Sequence, residues 1–261
     1  MANASAARKQ DNTLDKVWGE WEYKTVILSY MDEAGGVSYQ KADRSRFFIR
    51  SCVLVREEVL RSVQADVEWA LSGFPLVGGE RLPFHAAYIY HGRMAKARKW
   101  EAIPEDDRQG FLYEMADVLK EHDLPYVYAV VDKQKMAAKY QSPINPHVMT
   151  FVQTGELVES WMCSFGKGQH WLPCVGDTDY NRDIERMFVE CLKFGPPFGY
   201  WASKWRHAAD VMAFTSPVKS TPFLLADLCA FAASRHEQGK GDWGLFNKLR
   251  RHLWNTKRFP R

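Results

Sequence analysis

The sequence predicts an α/β fold, a mixed β-sheet flanked by helices, in a single domain. Three observations lead there. Two strand-like apolar runs come first, helical and strand patterns then alternate, and a strongly apolar helix closes the order. The chain has 261 residues, of which 46% are hydrophobic and 14% aromatic, enough for a sizeable core and too apolar for wholesale disorder. No internal repeat and no low-complexity linker divides it.

Val26 to Met31 reads as a buried strand, and Phe47 to Val55 as a second. Their connection is short and polar, which favours an antiparallel pair. Glu57 to Leu71 carries Val59, Leu60, Val63, Val67, Ala70 and Leu71 at helical spacing. Gly73 to Leu82 is a loop marked by glycine and proline, and Phe84 to Tyr90 fits a strand or a docking segment. Pro104 followed by Glu105, Asp106 and Asp107 starts a helix, with Phe111, Leu112, Met115, Val118 and Leu119 as its buried stripe. Tyr126 to Val131 is a strand ending at Asp132-Lys133. Val148 to Met162 is a helix, Trp171 to Gly176 a short strand ending at Asp177, and Asp183 to Phe194 a helix with Ile184, Met187, Phe188, Cys191 and Leu192 inward. Val211 to Phe214 fits an edge strand, and Pro222 to Arg235 a strongly apolar helix.

The expected organisation is a flexible leader over 1–20, the domain over 21–240, and a basic C-terminal extension over 241–261. Met1 to Lys16 lacks the apolar middle of a secretion signal. No apolar run reaches the roughly 18 residues of a membrane span. A cytoplasmic chain without membrane contact is the expectation. Five scattered cysteines, mostly in apolar runs, fit free thiols in a reducing compartment. Cys163, His170 and Cys174 are what a zinc site would draw on, but there is no CxxC pair and no obvious fourth ligand.

Net charge is +3, from 35 basic and 32 acidic residues, which neither demands nor excludes nucleic acid. Local clusters say more. Arg93, Lys96, Arg98 and Lys99 precede Trp100, and Lys248, Arg250, Arg251, Lys257, Arg258 and Arg261 are interleaved with Trp254 and Phe259. Basic residues mixed with aromatics hold phosphates and stack bases; a solvated surface face has the same composition.

The segment from Ile27 to Gly36 delivers Asp32 and Glu33 from an apolar strand into a double glycine. Carboxylates on a strand end suit Mg²⁺ or Mn²⁺. The same residues also make an ordinary hairpin turn. Asp177 lies just past a strand, and Asp227 sits inside a run from Phe223 to Phe231 that offers nothing to neutralise it. An ionised carboxylate there needs a partner from elsewhere: an arginine, a hydrogen bond or a metal. His85 is either a packed histidine or a proton-transfer group. Trp201 and Trp205, with basic neighbours, fit core packing or a stacking platform. Phosphate-loop, dinucleotide and serine-hydrolase motifs are absent from the sequence.

The strand end Tyr30-Met31-Asp32-Glu33-Ala34-Gly35, the strand Ala129-Val130-Val131-Asp132-Lys133, the strand ending at Asp177, and a late Phe214-Thr215-Ser216 followed by Leu225-Ala226-Asp227-Leu228 together resemble the domain-of-unknown-function 3800 family. That family belongs to the ribonuclease-H-like superfamily. The resemblance runs from about Val26 to about Arg235. It implies a ribonuclease-H-like sheet with acids converging at one edge, Asp32 from the first strand, Asp177 central and Asp227 from the last helix, binding one or two Mg²⁺ or Mn²⁺ ions. Lys133 or His85 would touch a phosphate or assist proton transfer. The chain has Pro83 where the family often carries a glutamate, Leu224 where it often has a glutamine, and Ala34 where a serine is common. That departure implies a one-metal site, substitution by Glu33, Glu80 or Asp179, or loss of activity.

Two functions follow as expectations. One is a metal-dependent nuclease, a hydrolase of phosphodiesters in RNA or DNA. The other is a catalytically inactive nucleic-acid-binding or scaffold protein of a bacterial or phage system. A homo-oligomer or a protein partner stays open in both.

Overall fold

A computed structural model describes residues 25–40, 45–77, 80–92, 98–176, 178–198, 204–215 and 220–260. The expected leader, Asp177, Trp201, Arg93 and Lys96 lie outside the described residues.

The chain forms a mixed sheet of six strands: β1 (Val26–Ala34), β2 (Phe47–Arg56), β5 (Tyr126–Asp132), β6 (His170–Gly176), β7 (Ala213–Thr215) and β8 (Leu253–Phe259). The strand order is β7-β6-β1-β2-β5-β8. β1 is antiparallel to β2 and β2 to β5, while β6 runs parallel to β1, β7 to β6 and β8 to β5. A separate small hairpin pairs β3 (Leu76–Val77) with β4 (Glu80–Arg81).

Helices cover both faces, which is why β2 and β5 read as near-continuous apolar runs. One face carries α1 (Leu60–Ser72), α2 (Ala86–His91), α3 (Glu105–Glu121), α7 (Phe223–Glu237) and α8 (Leu245–Leu249). The other carries α5 (Pro146–Phe165) and α6 (Asn181–Lys193). A short α4 (Lys133–Lys139) follows β5 directly. α5 is buried almost all round, and Gly155 lets the Trp205 ring lie against its backbone, where a Cβ would collide with it. Trp205 is thus a core residue.

Two segments differ from the sequence reading. Phe84 to Tyr90 contributes a short helix, because Gly92 in the left-handed region closes a turn begun at Ala86. The 241–261 stretch is more than a basic tail: Leu253 to Phe259 pair with β5 and form an edge of the main sheet. Among the described residues no helix is long and apolar enough to cross a membrane.

Candidate functional site

β1 carries its alternate side chains to opposite faces. Leu28 and Tyr30 face the α7 side, and Ile27 and Met31 the α5 side. Asp32 and Glu33, though adjacent, therefore diverge. Asp32 turns toward α7 and Glu33 toward α5.

Asp32 pairs in register with Ser51 of β2, and Ser51 Oγ donates to the carbonyl of Ala226 at 2.6 Å. That bond anchors α7 one residue before Asp227. The two carboxylates consequently face each other's charge. Burial pushes Asp32 well above its ordinary value, and the Asp227 and Glu33 charges push it further. The Asp32 carboxylate accepts from the Glu33 backbone N–H at 2.9 Å, its sole hydrogen bond among the described residues. Burial raises Asp227 as well, opposed by His85 and by the Ala86 N–H, which donates to Oδ2 at 2.8 Å. His85 precedes α2, stacks on Tyr88 with ring centroids 4.1 Å apart, and holds Nδ1 3.6 Å from Asp227 Oδ2. Its side chain is 44% exposed.

The end of β6 closes the site. Gly176 sits beside Asp32, and a Cβ there would lie 3.5 Å from Oδ1. Asp177 follows it in the chain.

On the other face, Glu33 meets Arg50, which is fully buried, with Nη1 3.4 Å from Glu33 Oε2. Arg50 Nη2 lies 2.9 Å from His147 Nδ1. Asn145 caps α5 by accepting from the His147 N–H at 2.9 Å, with Pro146 at the first turn, which fixes His147 at the mouth of the helix. Tyr180 stacks on the imidazole at 4.6 Å. Burial and the Arg50 charge hold His147 down at about 3, so it is neutral. Glu33 thus lies beside a guanidinium, on the face of β1 opposite Asp227.

Lys133 is buried, and its Nζ donates to the Gly36 carbonyl. Arg98 and Lys99 open a short 3-10 turn ahead of α3. In the C-terminal cluster, Lys248 pairs with Asp117 at 2.7 Å, Lys257 with Glu156 and Arg258 with Glu237, so much of that charge is neutralised within the fold.

Sequence reasoning missed a further group. Glu159, Cys163 and His207 could hold a metal ion, their ligand atoms lying within 4.8 Å of one another. Glu159 Oε1 accepts from the Arg206 N–H at 2.7 Å and lies 2.8 Å from His207 Nδ1, and Oε2 accepts from Trp171 Nε1 at 3.0 Å. The carboxylate thus straps the segment around His207 onto α5 and β6. Among the described residues Cys163 does not join His170 and Cys174, because Cys174 is buried on the α7 face. The signal in sequence was Glu159 and Cys163 one helical turn apart, but His207 is far along the chain.

Comparison of the chain with family models, with curated proteins and with solved structures returned no match.

Proposed function

We propose that the protein is a divalent-metal-dependent hydrolase of phosphodiesters in nucleic acid, on a ribonuclease-H-like fold. One observation carries the reading. Asp32 and Asp227 face each other's charge, both half-buried and both raised, and among the described residues no arginine or lysine is ion-paired or hydrogen-bonded to either. The Arg50 guanidinium, whose charge opposes the rise of Asp32, is ion-paired with Glu33. Two like charges in a poorly solvated place favour a cation with hard oxygen preference. Asp32 and Asp227 would hold it, with Asp177 the further oxygen donor that the family resemblance implies.

A Mg²⁺ or Mn²⁺ ion held there supplies a Lewis acid for a phosphoryl oxygen and a more acidic water. The chain's own groups do the rest. Ser51 and the Ala86 N–H fix the helix and carboxylate orientation. His85, partly exposed beside Asp227, is placed to accept or return a proton at Nε2 or to contact the substrate phosphate. The central β1, antiparallel to β2 and parallel to β6 with acids at its end, supports the ribonuclease-H-like assignment.

The test is cleavage of labelled single- and double-stranded RNA and DNA with Mn²⁺, Mg²⁺ or chelator. The expected result is metal-dependent product formation that Asp32→Asn and Asp227→Asn each reduce at least a hundredfold. Cleavage equal in wild type and both variants would falsify the assignment. Nucleic-acid binding that survives chelation, with no turnover, would favour the scaffold reading.

A further inference from the structure

A cavity of about 370 Å³ opens at the end of the sheet opposite the acid pair. Ile27 lines it, and Asp32 lies five residues further along β1, roughly 17 Å away at about 3.3 Å per residue. The wall combines two chemistries. Arg56, at the end of β2, and Arg251, just before β8, bring exposed guanidinium groups, and among the described residues neither is held in an ion pair. Trp161, Phe165 and Trp254 bring rings, with centroids 5.7 Å apart for Trp161–Phe165 and 6.3 Å for Phe165–Trp254. Phe165 is 48% exposed, so one ring has area to offer. Burial holds His252, on the same rim, below its ordinary value against the pull of Asp123.

We propose that this cavity binds a nucleotide, its base against Phe165 and Trp254 and its phosphate between Arg56 and Arg251. A guanidinium fork matches phosphate oxygens two at a time, and an aromatic face accepts any base. An inorganic anion would use the arginines alone, and an apolar ligand the rings alone; a nucleotide uses both. The volume is that of a small-molecule pocket, and far below what a duplex needs. The occupant is either a free nucleotide or one residue of a single strand. The inference is independent of the acid pair, since it concerns the other end of the sheet and is tested without metal.

The test is calorimetric titration of the full chain in chelator with AMP, adenosine, inorganic phosphate and a 5′-phosphorylated octathymidylate. AMP is expected to bind at least tenfold tighter than adenosine or phosphate. Arg56→Ala with Arg251→Ala should weaken it at least tenfold, and Phe165→Ala several-fold; these side chains are exposed, so circular dichroism should report an unchanged fold. Octathymidylate binding tighter than AMP, with a steeper salt dependence, would identify a strand as the source. Octathymidylate binding no tighter than AMP would identify a free nucleotide. Three results would overturn the proposal: equal affinity of the double arginine variant and the wild type, phosphate binding as tightly as AMP, or no binding of AMP and octathymidylate at millimolar concentration.

Discussion

Arg50 Nη2 lies 2.9 Å from His147 Nδ1, and this contact fixes the tautomer of the histidine. A guanidinium only donates, so Nδ1 must accept and the ring proton sits on Nε2. Nε2 lies 3.8 Å from Glu33 Oε1. Arg50 thus reaches Glu33 directly, and turns a second donor toward it through the imidazole.

Removing Arg50 should therefore be costly. Arg50→Met leaves the half-buried Glu33 without its cation, and a loss of about 3 kcal/mol is expected from urea unfolding. Arg50→Lys should recover little, because a point charge cannot span Glu33 and His147 together. Wild-type stability in Arg50→Lys would remove the clamp from the account.

His147 sets one limb of the pH profile. Its folded value is depressed to about 3 from an ordinary 6.5. The unfolded chain then binds the proton more readily, so the contribution is fully present above 6.5 and is lost as pH falls from 6.5 toward 3. His147→Gln should flatten that limb in chemical denaturation between pH 6.5 and 4. An unchanged slope would mean that His147 titrates as in the unfolded chain.

The acid pair sets the opposite limb. Asp32 and Asp227 are raised above the ordinary 3.8. The folded chain holds their protons longer, so in chelator stability should fall as pH rises above 3.8 through the raised folded values. Saturating Mn²⁺ should offset the fall, by about 2.7 kcal/mol at a hundredfold excess over Kd. In chelator, Asp32→Asn should raise the melting temperature at pH 8, because it removes a half-buried like charge. A lower melting temperature in that variant would show the carboxylate to be satisfied without metal.

Gly155 tests the packing beneath the other face. Its absent Cβ is occupied by the Trp205 ring, so Gly155→Ala should destabilise by about 1–3 kcal/mol. Thermal unfolding checks this, and the double variant Gly155→Ala with Trp205→Leu should show non-additive costs.

The central strands were legible because β1, β2, β5 and β6 carry apolar runs bounded by polar residues. β8 was not, because an edge strand with Asn255, Thr256, Lys257 and Arg258 has the composition of a surface tail. Asp32 and Asp227 could be singled out because each is a carboxylate in an apolar setting. That Glu33 leaves them could be read only once the faces of β1 were known. The Arg50–His147 contact joins residues 97 apart, and no local spacing announces it. The reach of Lys133 back to Gly36 depends on how α4 leaves β5, which no local pattern shows.

The divergence of Asp32 and Glu33 also ties chemistry to strand alignment. A slip of β1 by one residue would exchange the two acids between faces, setting a carboxylate one methylene longer beside Asp227 and a shorter one beneath Arg50. The same slip would carry Met31 and Tyr30 into each other's cores. The arrangement that positions the acids is therefore guarded by the hydrophobic pattern of the strand that bears them, and a misaligned chain would lose its fold before it could present a misplaced centre.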